Sequence, residues 1–203
     1  MAILNQVCVY CGSSTGEDPA YAESARLLGR ALAGAGIRLV YGGGSVGLMG
    51  IIARTVLDEG GAVTGIIPRF LKKRELVFPD VSELIVTKDM HERKMTMFER
   101  ADAFVALPGG IGTLEELIEQ LTWAQLGQHQ KPVLLANITG FWQPLIELLD
   151  HMRAEQFIHG GAEVFPLVAE NVDDIVPMLV EACAARPQEA IELPADAEEI
   201  RRL

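Results

Sequence analysis

The sequence is poor in cysteine and has no long apolar run. Its three cysteines, an odd number, exclude a small disulfide-bonded scaffold and are typical of a reduced, cytoplasmic protein. No apolar run approaches the ~18 residues that a membrane span requires. Residues 1–6 carry neither a basic segment nor a long apolar segment, so we predict no signal peptide. We therefore expect a cytoplasmic protein with no membrane partner.

Basic residues are also in the minority. Lys and Arg number 17 against 28 Asp and Glu, which gives a formal net charge of −11. This balance argues against general binding to nucleic acid or to an anionic membrane, although a local basic pocket for one phosphate is still allowed. With 203 residues and 49% apolar composition, the chain is long enough to form one domain with a sizeable core.

Short apolar runs alternate with helical patterns along the chain. The runs predict strands at 7–10, 37–41, 63–67, 84–86, 103–107, 132–136 and 163–168. The patterns predict helices at 19–35, 46–59, 90–100, 142–153 and 172–184, and a further helix after the fifth strand. This alternation predicts an α/β fold, a Rossmann-like doubly wound parallel sheet of about seven strands in a single domain, 1–185. Residues 186–203, with two prolines and several acidic residues, are predicted to form an exposed tail.

The most informative segment is 108–116, Pro-Gly-Gly-Ile-Gly-Thr-Leu-Glu-Glu. It joins the predicted strand at 103–107 to a helical pattern that starts at Leu114. The free N–H groups and the positive end of a helix dipole make such a turn an anion site. Three glycines let a phosphate approach the backbone closely, and Glu116 follows within the first turn of the helix. This arrangement suggests chemistry on a phosphorylated small molecule.

A simpler interpretation of the same segment is a capping box. Thr113 would cap the helix, and Glu116, three residues later, would reach back to the cap N–H group. A cap does not require the three glycines at 109, 110 and 112, so these favour the ligand interpretation. Both interpretations stay open from the residues alone.

A second glycine turn follows the second predicted strand. Gly42-Gly43-Gly44-Ser45-Val46-Gly47 contains the G-x-G-x-x-G spacing of dinucleotide-binding proteins. The turn follows the second strand rather than the first, and the third strand ends without the acidic residue that holds a ribose diol. We therefore favour a contact of Gly43 and Gly44 with a nucleotide or sugar phosphate over NAD binding. A tight turn chosen for packing is the alternative.

Two cations lie near the start of the predicted helix at 90–100. Arg93 and Lys94 stand where the helix dipole disfavours positive charge, which can signal function. The alternative is an i,i+4 pair between Asp89 and Arg93 on a solvated face.

Other catalytic and metal-binding patterns are weak. Cys8 and Cys11 have C-x-x-C spacing, but Cys8 lies in a predicted strand rather than at a helix N-terminus, so we interpret the pair as structural. No second cysteine pair completes a zinc site, and the four histidines lack metal-ligand spacing. The G-x-S-x-G elbow of serine hydrolases is absent.

Taken together, the glycine triplet at 42–44, the segment Met90-His91-Glu92-Arg93-Lys94 and the segment 108–116 resemble the LOG ("Lonely Guy") family. Its members are cytokinin riboside 5′-monophosphate phosphoribohydrolases, often mislabelled as lysine decarboxylases. The resemblance implies hydrolysis of the N-glycosidic bond of a nucleoside 5′-monophosphate, such as AMP or an N6-substituted AMP, to free base and ribose 5-phosphate. It also implies a homodimer, and no metal or redox cofactor.

By position, the resemblance implies that Arg93 and Glu116 are the catalytic pair. It places Lys94, Thr122 and Glu75 among the substrate contacts. The remaining substrate contacts come from the glycine turn, in which residues 109–113 anchor the 5′-phosphate. These contacts are Gly109, Gly110, Ile111, Gly112, Thr113, Leu114 and Glu115.

Bond chemistry gives Glu116 a specific role. Breaking a ribose N-glycosidic bond builds positive charge on the sugar, which a nearby carboxylate stabilises while it orients or deprotonates water. Arg93 cannot readily give up its proton; it either hydrogen-bonds the purine or fixes the nucleotide. Two other classes stay open. One is a non-catalytic nucleotide-binding module. The other is a decarboxylase, which needs a lysine bound to pyridoxal phosphate, and nothing in the sequence marks Lys94 or Lys131 as that lysine.

Overall fold

The computed structural model describes residues 4–72, 78, 80–158 and 165–186. Seven strands lie in these ranges: β1 Gln6–Tyr10, β2 Arg38–Tyr41, β3 Val63–Pro68, β4 Glu83–Thr87, β5 Ala103–Ala106, β6 Val133–Ala136 and β7 Leu167–Ala169. The helices are α1 Pro19–Gly34, α2 Gly47–Asp58, α3 Arg69–Lys72, α4 Met90–Arg100, α5 Ile111–Gln125, α6 Gln143–Ala154 and α7 Val172–Ala184, with a 3-10 turn at Ile138–Gly140.

All seven strands are parallel, in the order β4-β3-β2-β1-β5-β6-β7. The predicted α/β, Rossmann-like, single-domain fold is therefore confirmed. The chain reverses its direction of winding between β1 and β5, and ligands of such sheets bind in the crevice at this point. Both β1 and β5 are almost wholly buried, as expected for parallel strands covered on both faces.

Helices cover both faces of the sheet. On one face, α1, α2 and α7 pack on alternate residues of the central strands, with Leu28, Ile52 and Ile175 in the core. On the other face, α4, α5 and α6 contribute Met97, Leu117 and Leu149. None of the helices in the described ranges is long and apolar enough to cross a membrane.

Most predicted elements are within two residues of the observed ones, and the last strand differs more. The strand predicted at 163–168 is the short β7, Leu167–Ala169; residues 159–164 lie outside the described ranges. The helix predicted from Trp142 begins one residue later, because a 3-10 turn precedes it. Residues 187–203 of the predicted tail also lie outside the described ranges, and Arg186 is only partly exposed and donates to the carbonyl of Asp102.

A buried histidine lies beside the start of β6. His129 Nδ1 accepts from the N–H of Lys131 at 3.0 Å, so Nε2 carries the proton and donates to the carbonyl of Gln120 at 3.1 Å. The ring also packs against Phe98 and Phe104. Burial lowers the pKa of His129 to about 4, from an ordinary value of 6.5.

This histidine predicts a loss of stability in mild acid. The unfolded chain takes up a proton at His129 below about pH 6.5, whereas the folded chain does so only near pH 4. The contribution of the neutral His129 to the free energy of unfolding is therefore complete above pH 6.5 and is lost as the pH falls toward 4. Urea unfolding at pH 7.5 and pH 5 should show a smaller pH dependence in His129→Gln than in wild type. His151→Gln, a change at an exposed histidine, is the control, and an equal pH dependence in all three proteins would contradict the prediction.

Candidate active site

The candidate site lies at the carboxyl ends of β1 and β5, at the reversal point of the sheet. A pocket of about 300 Å³ opens there. It is lined by Gly109 and Gly110 of the glycine turn, by the loop that follows β1, and by Tyr21 and Phe141, whose rings contact each other.

The glycine turn presents an uncapped helix N-terminus. The first residue of α5 is Ile111, and the cap position is Gly110, which has no side chain to accept from the helix. The first intrahelical bond runs from Leu114 N to Gly110 O at 3.0 Å, so the N–H groups at 111–113 precede the helical ladder. Thr113 is buried in the third helical position. The capping-box interpretation of Thr113 and Glu116 is therefore wrong.

The glycines of this turn serve two purposes. A Cβ at Gly109 would lie 2.2 Å from Thr113 Oγ1 and 2.9 Å from Gly12 N, so close packing of the turn requires glycine there. A Cβ at Gly110 or Gly112 would meet nothing within 4 Å in the described part of the chain. Glycine at these two positions leaves the backbone open to a ligand instead.

Arg93 and Glu116 form a buried ion pair. Arg93 Nη1 donates to Glu116 Oε1 at 2.6 Å, and Arg93 Nε donates to the carbonyl of Ile66 at 3.1 Å. Arg93 is only 8% exposed. A Cβ at Gly42 would lie 2.4 Å from Arg93 Nη2, so the first glycine of the second turn makes room for the guanidinium.

The interpretation of Arg93 as part of a solvated helix face is wrong, because Arg93 is buried and bound to Glu116. Its supposed partner, Asp89, caps α4 instead and accepts from the N–H of Glu92 at 2.9 Å. Glu92 in turn accepts from the N–H of Lys88 at 2.7 Å. A variant of the exchange that the sequence suggests for α5 thus occurs at α4, where Glu92 accepts from the residue before the cap instead of from the cap residue itself.

The charge state of Glu116 depends on two opposing effects. Burial raises the pKa of Glu116, while the charge and the hydrogen bond of Arg93 lower it, and the net pKa lies above the ordinary value. Burial, followed by the charge of Glu116, also raises the pKa values of the Cys8 and Cys11 thiols. Both thiols are buried and free, which agrees with a structural role for the C-x-x-C spacing.

The other predicted contacts lie in different environments. Lys94 Nζ donates to Glu115 at 2.7 Å and to Glu119 at 2.8 Å. Thr122 is exposed on α5, and its hydroxyl donates to the carbonyl of Ile118. Ile111, Gly112 and Leu114 follow along the first turn of α5. Glu75 lies outside the described ranges.

The second glycine turn opens a helix whose donors are already used. The N–H groups of Leu48 and Met49 donate to the carbonyl of Gly12 at 3.0 and 3.4 Å. A Cβ at Gly47 would lie 2.2 Å from the carbonyl carbon of Ser13, so packing requires this glycine. An NAD pyrophosphate would need those N–H groups, which argues against dinucleotide binding. The substrate contact of Gly43 and Gly44 stays a prediction.

Sequence reasoning missed the loop after β1. Its backbone joins both glycine turns, because Gly12 N donates to Pro108 O at 3.1 Å and Gly12 O accepts from α2. Ser13, Ser14 and Thr15 line the same pocket as the glycine turn. The available signal was the Gly-Ser-Ser sequence that begins two residues after the last residue of β1, because β1 neighbours β5 at the reversal point.

A decarboxylase would need a lysine in this pocket to bind pyridoxal phosphate, and none of the described residues that line the pocket is a lysine. Lys131 precedes β6 and lies at the amino ends of the strands, the opposite edge from the glycine turn. Its ammonium donates to the carbonyl of Phe98 at 2.6 Å and lies over the Phe98 ring. Lys94 is bound by two carboxylates.

Fold and site together define a Rossmann-like protein with an uncapped helix N-terminus at a glycine turn and a buried carboxylate on the same helix. A family model described as possible lysine decarboxylase matches residues 49–179. A probable cytokinin riboside 5′-monophosphate phosphoribohydrolase from Oryza sativa subsp. japonica is 52% identical over 173 residues, which cover 85% of this chain and 78% of the relative. A cytokinin riboside 5′-monophosphate phosphoribohydrolase from Arabidopsis thaliana is 47% identical over 178 residues, 88% of this chain and 82% of the relative. The chain belongs to the LOG family.

Solved structures share the fold at lower identity. The molybdenum cofactor binding protein from Rippkaea orientalis superposes with a TM-score of 0.65 at 22% identity, covering 88% of this chain and 97% of that one. The Moco carrier protein from Chlamydomonas reinhardtii gives 0.69 at 21%, covering 90% and 99%. At these identities the likeness concerns the fold alone.

Proposed function

We propose that this protein hydrolyses the N-glycosidic bond of adenosine 5′-monophosphates, including N6-substituted ones, to the free base and ribose 5-phosphate. The observation that carries the proposal is the uncapped N-terminus of α5 at Ile111, with the buried Glu116 carboxylate in the second turn of the same helix. The names of the relatives at 52% and 47% identity support the same reaction. Cytokinin activation and cleavage of AMP itself both fall within this chemistry.

The glycine turn is the proposed phosphate anchor. The N–H groups at 111–113 and the helix dipole would hold the 5′-phosphate. Gly110 and Gly112 allow close approach because a side chain at either position would occupy open space. Binding energy from this remote group helps to position the sugar over the reacting carboxylate.

Glu116 is the proposed electrostatic catalyst. As the bond from C1′ to the base breaks, positive charge develops on the sugar and a carboxylate stabilises it. Glu116 also orients or deprotonates the water whose oxygen bonds to C1′, and the base leaves with a proton. No step of this mechanism requires a metal or a redox cofactor.

Arg93 is the proposed partner that keeps Glu116 ionised. Its guanidinium already donates to Glu116 and to the Ile66 carbonyl, so the geometry favours holding the carboxylate over donating a proton to the base. The pKa of Glu116 lies above its ordinary value even with Arg93 in place. Without this cation the pKa would rise further, and a larger fraction of Glu116 would be the neutral acid. We also propose a cytoplasmic homodimer, as the family resemblance implies.

The test of this function is the release of base from nucleotide and nucleoside. Purified protein with EDTA should release adenine from AMP, or the substituted base from N6-isopentenyl AMP, with ribose 5-phosphate as co-product. Adenosine should be cleaved far more slowly, because the phosphate anchor would be empty. Chromatography of the products measures both rates. Equal turnover of AMP and adenosine would contradict the anchor, and AMP binding without cleavage would favour the non-catalytic module.

A further inference from the structure

A buried aromatic ring lies outside both halves of the core. Phe78 is only 6% exposed, yet it belongs to neither of the two apolar clusters that cover the faces of the sheet. It lies in the connection between α3 and β4. Burial of an aromatic side chain is strongly favourable, so a ring buried apart from the core fixes the position of its own chain segment.

Two contacts hold Phe78 beside the second glycine turn. The N–H of Phe78 donates to the carbonyl of Gly43 at 3.3 Å. The guanidinium of Arg54, on α2, lies over the Phe78 ring at 5.1 Å from the ring centre, which is within the range of a cation–π attraction. We call these two contacts the Phe78 anchor.

The Phe78 anchor connects two regions that are predicted to bind the substrate. One is the second glycine turn, with the predicted contacts Gly43 and Gly44. The other is the chain that carries Glu75, a residue outside the described ranges that precedes Phe78 by three residues. Three residues of chain span at most roughly 11 Å, so an anchored Phe78 limits how far Glu75 can lie from this turn.

We propose that Phe78 and Arg54 are positioning residues for nucleotide binding, and that they act by holding the chain segment that carries Glu75 near the second glycine turn. The inference rests on the proposed function, and it gives a role to two residues to which the family resemblance assigns none. Arg54 has a particular part in it, because this exposed side chain covers the ring from the solvent side of α2.

The expected kinetic signature is a rise in KM without a loss of kcat. Arg93 is held by Glu116 and by the carbonyl of Ile66, and neither contact involves the Phe78 anchor. A variant without the anchor should therefore bind AMP more weakly and turn over bound AMP at nearly the wild-type rate. Glu116→Gln, which should lower kcat and leave the affinity for AMP intact, has the opposite signature.

Arg54→Met and Phe78→Leu each remove one partner of the cation–π contact. Arg54 is exposed, and Leu keeps an apolar side chain at the buried position, so both variants should fold. Each should raise KM for AMP by about three- to tenfold, with kcat within about twofold of wild type. The double variant should be no worse than the poorer single one, because both changes break one contact. Arg54→Lys keeps a cation over the ring and should return KM to within about twofold of wild type.

Arg30→Met is the matched control. Arg30 lines the same groove between α1 and α2 as Arg54 does, but it pairs with Glu59 at 3.6 Å, so its replacement should leave KM unchanged. If Arg54→Met and Phe78→Leu melt at lower temperature but keep the wild-type KM and kcat, Phe78 only stabilises the fold and the inference is wrong. A fall in kcat at unchanged KM would overturn it equally.

Hydrogen exchange at the Phe78 amide, followed by NMR, tests the anchor without catalysis. Exchange should be about threefold faster or more in Arg54→Met than in wild type and in Arg30→Met, and equal exchange in all three would overturn the anchor. A wild-type protein that releases no adenine would defeat the proposed function by itself. Calorimetry of AMP binding to the same variants would then decide whether the anchor supports binding, and a wild-type protein that binds no AMP would overturn this inference as well.

Discussion

Glu116→Gln is expected to lower the turnover of AMP by about 100-fold or more, the loss seen when one electrostatic stabiliser is removed. Gln keeps the length of Glu, and its carbonyl oxygen can still accept from Arg93 Nη1. The change therefore removes the negative charge opposite the developing sugar cation and little else. AMP should still bind, because the phosphate anchor at the start of α5 is unchanged.

The measurement combines turnover, AMP affinity and melting temperature on one preparation. We expect a modest fall in melting temperature, since Arg93 is buried and loses its counter-charge. Glu99→Gln, a change on α4 outside the ion pairs of the described structure, controls for the loss of one carboxylate. Full activity in Glu116→Gln would defeat the proposed mechanism, although it would leave the phosphate anchor standing.

The fold could be predicted because its signals are local. Each central strand is a short apolar run that ends at glycine, proline or a polar residue, and burial on both faces permits little else. The bounds of α4 and α7 agree with the prediction at both ends. At α4 the reason is visible, since Asp89 accepts from the N–H of Glu92 in the first turn and Glu92 accepts from the N–H of Lys88, so both contacts are close in sequence.

The site could be predicted only in part, because its decisive contacts are not local. The sequence pointed to Arg93 and Glu116 by resemblance, but their side chains meet across 23 residues, and local spacing offered Asp89 as the partner instead. The Thr-x-x-Glu pattern likewise matched a capping box that would start the helix at Leu114, although α5 begins three residues earlier at Ile111. A pattern of residue types does not show which donors the fold leaves open. The loop after β1 was missed because only strand order brings it beside the glycine turn.

Arg93→Ala is expected to abolish most turnover and also to destabilise the fold. If Arg93 lay on a solvated helix face, its replacement would lower the free energy of unfolding by only ~0.3–0.5 kcal/mol. In the structure it is buried and holds both Glu116 and the Ile66 carbonyl. Removing one partner of a buried ion pair typically costs about 3–5 kcal/mol, because the other charge is left uncompensated. For a chain of this size, that loss corresponds to a fall in melting temperature of roughly 6–20 °C.

The double variant Arg93→Ala/Glu116→Gln separates the two effects of Arg93. It contains neither charge, so it should melt above Arg93→Ala, yet it should be no more active than either single variant. Arg100→Ala is the matched control on the same helix, because its pair with Glu83 is about 40% exposed on each side and should contribute only about 0–1 kcal/mol. Thermal unfolding and AMP turnover of all four variants decide the matter. If Arg93→Ala melts like wild type, the buried pair does not stabilise the fold, and if the double variant melts no higher than Arg93→Ala, the uncompensated Glu116 charge is not the cause of the loss.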